Sequence, residues 1–65
     1  MGFAHNLKLL RKSAKLSQQE LAKEINVPQT TISDLENGKY DPSLPIAYKV
    51  ASYFRVSIDS LVIDK

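Results

Sequence analysis

The sequence has 65 residues, room for one domain that buries only about 60% of the surface its unfolded chain exposes, so its stability margin is small and a partner subunit would widen it. It has no cysteine, which excludes a disulfide framework or a thiolate zinc site, and its net charge of +2 permits a nucleic-acid partner without requiring one. Phe3, Ala4, His5 and Asn6 do not make the basic-then-apolar run of a signal peptide and no apolar stretch approaches membrane length, so a cytoplasmic protein with no membrane partner is expected.

From Phe3 onward, Leu7, Leu10 and Ala14 recur at helical spacing, which predicts a first helix over residues 5–14. Ser17-Gln18-Gln19-Glu20 then reads as a capping box, with Leu16 and Leu21 as the accompanying hydrophobic staple. A second helix follows with Leu21, Ala22 and Ile25 inward, ending at Asn26, a residue that tolerates the left-handed backbone of a tight turn. Pro28 suits the first turn of a third helix reaching Glu36, with Ile32 and Leu35 inward and Asn37-Gly38 as its stop. Lys39, Tyr40, Asp41 and Pro42 form a loop, with Tyr40 expected to pack it onto the fold. Ser43 caps a fourth helix with Leu44, Ala47, Ala51 and Phe54 inward, and Ser57 caps a fifth presenting Ile58, Leu61 and Val62. There are no repeats or low-complexity segments, so residues 1–65 are expected to form a single all-α domain of five short helices.

The informative stretch carries Leu21, Ile25, Val27, Ile32 and Leu35 as its apolar set, with Ala22 where the next helix would cross and Asn26 in the turn. Here the chain resembles the Cro- and lambda-repressor-like helix-turn-helix proteins, also called the xenobiotic response element family. The resemblance rests on Asn6-Leu7-Lys8-Leu9-Leu10-Arg11, Leu16-Ser17-Gln18-Gln19-Glu20-Leu21-Ala22, Thr31-Ile32-Ser33-Asp34-Leu35-Glu36-Asn37-Gly38-Lys39, Pro42-Ser43 and Asp59-Ser60-Leu61. It covers nearly the whole chain and implies a lambda-repressor-like domain with the helix-turn-helix unit at about 17–36.

The resemblance implies that helix three is a recognition helix whose Gln29, Thr30, Ser33 and Asp34 face base edges in the major groove. Glutamine can pair bidentately with adenine, threonine can meet the thymine methyl, and a carboxylate can accept from cytosine. It also implies phosphate contacts from Gln18, Asn37 and Lys39 and an ion pair between Arg11 and Glu36 joining helix one to the end of helix three. Three features depart from the family pattern. Asn26 stands where glycine is usual, Pro28 where a hydroxyl cap is common, and helix three holds no Lys or Arg while Asp34 and Glu36 make it acidic.

Lys8, Lys12 and Lys15 read as a solvated helix face rather than a binding patch. His5 is isolated, so neither a metal nor a cofactor is expected. No nucleophile elbow or glycine-rich phosphate loop is present, which argues against an enzyme.

The expected function is sequence-specific regulation of transcription, as a repressor that binds double-stranded DNA as a homodimer at an inverted repeat. The C-terminal run Ile58, Leu61, Val62 and Ile63 carries more apolar surface than a short helix hides alone and is the expected dimer interface. Two alternatives stay open. One is an antitoxin-like module that binds a protein partner, which the acidic helix three favours; the other is the DNA-binding part of a longer ligand-sensing regulator.

Overall fold

The computed structural model describes residues 2–62. Five helices follow one another: α1 Gly2–Ser13, α2 Gln18–Glu24, α3 Gln29–Glu36, α4 Leu44–Phe54 and α5 Ile58–Val62, with no strand among the described residues. α3 packs on both α2 and α1, while α5 packs on α1 and α4. Leu7, Leu21, Ile32, Leu35, Val50 and Leu61 are fully buried where these helices converge.

The starts of α2, α4 and α5 have a local cause. The Ser17 hydroxyl accepts from the Glu20 N–H at 3.0 Å and the Glu20 carboxylate accepts from the Ser17 N–H at 2.8 Å, closing the capping box of α2. The backbone hydrogen bond holds the Glu20 carboxyl below its ordinary pKa. Ser43 caps α4 by accepting from the Ile46 N–H at 3.4 Å, and Ser57 accepts from the Ser60 N–H at 3.1 Å at the start of α5. In the last turn of α5, the Asn6 amide donates to the carbonyls of Ser60 and Leu61 at 3.1 and 2.8 Å, so α1 is tied to that helix.

The helix ends share one device. After α1, α2, α3 and α4, a residue in the left-handed region turns the chain: Lys15 (φ 60°), Asn26 (φ 59°), Gly38 (φ 71°) and Arg55 (φ 57°). Each is bracketed by the paired backbone bonds of a Schellman motif, as where the Val27 N–H reaches the Ala22 carbonyl at 2.9 Å and the Asn26 N–H the Lys23 carbonyl at 3.3 Å. Three of the four positions lack glycine and carry the left-handed cost of a side chain.

Several expectations are corrected. α1 begins at Gly2 rather than near residue 5, because Phe3 is buried one helical turn before Leu7. Ala14 lies beyond α1 and is exposed. Leu44 is 65% exposed rather than inward, and the inward face of α4 is Ala47, Val50 and Ala51, with Phe54 half-buried. The cause is that Leu44 opens the helix, beyond the reach of its neighbours, whereas Val50 sits in the middle turns. Tyr40 is 48% exposed instead of packing its loop.

The expected dimer residues divide. Leu61 is fully buried in the chain's own core and has no surface to offer a second copy. Ile58 is half-buried and Val62 is 50% exposed, while Ile63 lies outside the described residues. Leu44 and Tyr48 on α4 add to the exposed apolar surface, and Ile58, Val62 and Leu44 line one groove.

Candidate nucleic-acid interface

α3 has an inward and an outward side for a reason visible in its sequence. Ile32 and Leu35 are one turn apart and buried against α1 and α2, which turns Gln29 and Thr30 outward. Gln29 and Thr30 are exposed; Ser33 and Asp34, one turn further on, are half-buried. The four therefore form two adjacent rows, Gln29 with Ser33 and Thr30 with Asp34. An α-helix is about 10–12 Å across with its side chains, which fits the roughly 12 Å width of a B-DNA major groove.

Pro28 precedes α3 with no side-chain hydrogen bond to its first turn, where the Thr31 N–H is taken by the Pro28 carbonyl at 3.0 Å. At its other end the Lys39 N–H reaches the Asp34 carbonyl at 3.0 Å and the Gly38 N–H the Leu35 carbonyl at 3.2 Å. That motif fixes the backbone direction just past α3 and leaves Asn37 and Lys39 exposed beside it.

The strongest polar interaction joins the start of α2, the end of α3 and α1. Arg11 donates from Nε to Glu36 Oε2 at 2.6 Å and from Nη2 to Glu36 Oε1 at 3.0 Å, a bidentate ion pair with the Glu36 side chain fully buried. Arg11 Nη1 also donates to the Leu16 carbonyl at 2.7 Å, holding the segment that leads into the cap of α2. Gln18, the first residue of α2, donates from Nε2 to Glu36 Oε1 at 3.1 Å. Burial pushes the Glu36 carboxyl up, but the Arg11 and Gln18 hydrogen bonds and the charges of Arg11 and Lys8 outweigh it, and its pKa falls below the ordinary value. The Glu36 hydrogen bond in turn raises the pKa of Arg11.

This arrangement alters the charge reading of α3. Of its two acids, Glu36 is buried and neutralised by Arg11, so only Asp34 presents a negative charge on the outward side. Lys8, set aside in the sequence as part of a solvated face, lies with Ala4 and His5 across a shallow groove from Glu36, Asn37 and Gly38. Nothing in its spacing within α1 signals that proximity, since it depends on how α1 crosses the end of α3. Lys49 of α4 was likewise not foreseen: its Nζ donates to the Asn26 carbonyl at 3.4 Å, at the turn between α2 and α3.

Among the described residues, no group of His, Cys, Asp and Glu side chains could hold a metal ion, and no helix is long and apolar enough to cross a membrane.

A sequence profile of the helix-turn-helix family matches residues 7–61. The chain belongs to the Cro/C1-type helix-turn-helix family. An uncharacterised helix-turn-helix transcriptional regulator of Methanocaldococcus jannaschii is 44% identical over 59 residues, 91% of this chain and 89% of that protein. An immunity repressor protein of Bacillus phage phi105 is 31% identical across 95% of this chain and 43% of its own length. Antitoxin HipB of Escherichia coli is 36% identical across 85% of this chain and 58% of its own length. Membership assigns α2 and α3 as the helix-turn-helix pair and the protein as a DNA-binding regulator of transcription.

Proposed function

We propose that the protein represses transcription by binding an inverted-repeat operator as a homodimer, each copy acting as one domain that places α3 in the major groove. The observation that carries this reading is the polar side of α3, on which Gln29 and Thr30 are exposed, together with two candidate phosphate anchors, the start of α2 and the segment just past α3, which Glu36 brings together at the far end of that helix. Gln29, Thr30, Ser33 and Asp34 read bases. Gln18, Asn37 and Lys39 hold the DNA backbone.

A dimer is favoured by size. The described fold spans 25 × 23 × 20 Å, short of the roughly 34 Å that separates major-groove segments one turn apart. One copy therefore reaches one half-site, and a two-fold pair doubles the contacts. Val62 and the half-buried Ile58, with the exposed Leu44 and Tyr48 nearby, are the surface assigned to the second copy. The name of the phage relative favours repression. That of the antitoxin relative favours a second reading, in which the chain also engages a protein partner.

Fluorescence anisotropy on the DNA upstream of the protein's own gene, over a salt series, tests the reading. Specific binding that weakens steeply with salt is expected. Within it, Gln29→Ala should cost about 1–3 kcal/mol and relax the choice at one base pair, whereas Lys39→Ala should weaken all sequences alike and lower the salt slope by about 1. Undetectable or salt-insensitive binding at micromolar protein would refute it, and a monomer by sedimentation at high concentration would remove the dimer.

A further inference from the structure

We infer that Glu36 is a positioning residue for the DNA backbone contact: its carboxylate takes one amide proton of Gln18 and leaves the other for a phosphate, with Arg11 locking the carboxylate in place. The inference rests on the DNA-binding reading and adds to it the agent that holds one of its anchors.

The geometry carries this. A glutamine amide has two N–H donors and a carbonyl acceptor on a side chain with several freely rotating bonds. Left unheld at the surface, it would lose rotamer freedom on meeting DNA, a loss that offsets much of one hydrogen bond. Here Gln18 Nε2 is already tied to Glu36 Oε1 at 3.1 Å, and the side chain is half-buried rather than free. Glu36 is itself immobile, because Arg11 grips both carboxylate oxygens at 2.6 and 3.0 Å and its third donor is fixed on the Leu16 carbonyl at 2.7 Å.

The same pair solves an electrostatic problem. A carboxylate next to a phosphate anchor would repel DNA; the guanidinium cancels its charge at contact distance, and the Glu36 side chain is fully shielded from solvent. Since Glu36 is also the last residue of α3, one carboxylate sets the spacing between the start of α2 and the segment bearing Asn37 and Lys39.

The test measures Gln18→Ala in three backgrounds by anisotropy with a 20-base-pair duplex of arbitrary sequence, since phosphate contacts carry no sequence information. In the native chain Gln18→Ala should weaken binding about 3- to 10-fold. In Glu36→Gln, whose amide carbonyl still accepts from Gln18, the loss should persist. In Arg11→Met/Glu36→Met, where the acceptor is gone and the buried pair is replaced by apolar side chains, Gln18→Ala should cost less than about twofold. A purely structural role for the pair predicts the same loss in all three backgrounds, and that result would overturn the inference.

A measurement on the unmodified chain covers the case in which the double variant does not fold. In nitrogen-15 spectra, one side-chain amide proton of Gln18 should stay fixed on addition of the duplex while the other shifts; equal shifts of both, or none, would overturn the inference. Failure of the native chain to bind any duplex would instead refute the DNA reading, and it would be seen before any variant was made.

Discussion

Removing Arg11 should cost more than its place near the surface suggests, and the loss should be recoverable by a second substitution. In Arg11→Met the fully buried Glu36 carboxylate keeps Gln18 as a partner but loses both guanidinium bonds, and the Leu16 carbonyl loses its donor. Breaking a buried pair from one side costs about 3–5 kcal/mol, because an uncompensated charge stays behind. Lys8, whose charge acts on the same carboxylate, and the remaining Gln18 bond moderate this, so about 3 kcal/mol is expected. A chain of 65 residues has a total stability of only about 3–10 kcal/mol, so the variant should lose from about a third of it to nearly all of it. Arg11→Met/Glu36→Met leaves no charge stranded and should recover at least half of the loss. Without Arg11 the Glu36 carboxyl loses two of the influences that hold its pKa down while burial still pushes it up, so the deficit of the single variant should shrink as pH falls through the carboxyl range. Urea titrations followed by circular dichroism at pH 7 and pH 5 measure all of this. A single variant within 1 kcal/mol of the native chain, or a double variant no better than the single, would refute the reasoning.

In the native chain the carboxyls of Glu20 and Glu36 both have lowered folded-state pKa values. Their contribution is complete well above the unfolded carboxyl value of about 4.3 and drains away as pH falls through the folded values, so the melting temperature should begin to fall below about pH 5; a flat profile down to pH 3 would contradict it. Replacing a left-handed side chain by glycine should relieve strain: Arg55→Gly and Lys15→Gly are each expected to raise stability by a few tenths to about 1 kcal/mol, net of the entropy that glycine adds to the unfolded chain. Thermal melts decide this, and a loss at both sites would show that their side chains hold the turns in some other way. Ser17→Ala should cost about 1 kcal/mol, because it removes one half of the capping box at the start of α2.

Much of the fold was legible because its signals are local. The Ser17 to Glu20 spacing placed the start of α2, and Asn37-Gly38 placed the end of α3. The signals that failed share a different property. Lys15 and Arg55 turn the chain in the left-handed region, yet neither residue type marks a turn. Their conformations come from Schellman bonds and from what the flanking helices bury, as with Val56, whose N–H reaches the Ala51 carbonyl at 3.0 Å. The same holds for Leu44, apolar at the right helical phase but placed on the first turn of α4 where nothing covers it, and for Leu61, drawn into the core between α1 and α4 rather than left for a partner. Periodicity gives the phase of a helix and not the depth of its ends.

The charge of α3 was the least legible part of the site, and it changes how affinity is shared. Counted along the chain, Asp34 and Glu36 with no compensating cation make a helix that should repel phosphate. Glu36 proves to face inward into the grip of Arg11, a residue 25 positions earlier, so the helix carries only Asp34 outward. At contact distance in a partly buried setting the pair's internal attraction exceeds the field it projects outward, and to DNA it is close to a neutral dipole. Attraction for phosphate then need not overcome two acids but one, and Asp34, half-buried beside Ser33, lies where a carboxylate can accept from a cytosine amino group. If Asp34 reads a base in that way, Asp34→Asn should raise affinity for arbitrary duplex DNA while lowering discrimination at one position of the operator. A uniform gain for all sequences would mean that Asp34 merely repels the backbone, and it would remove this residue from the reading face.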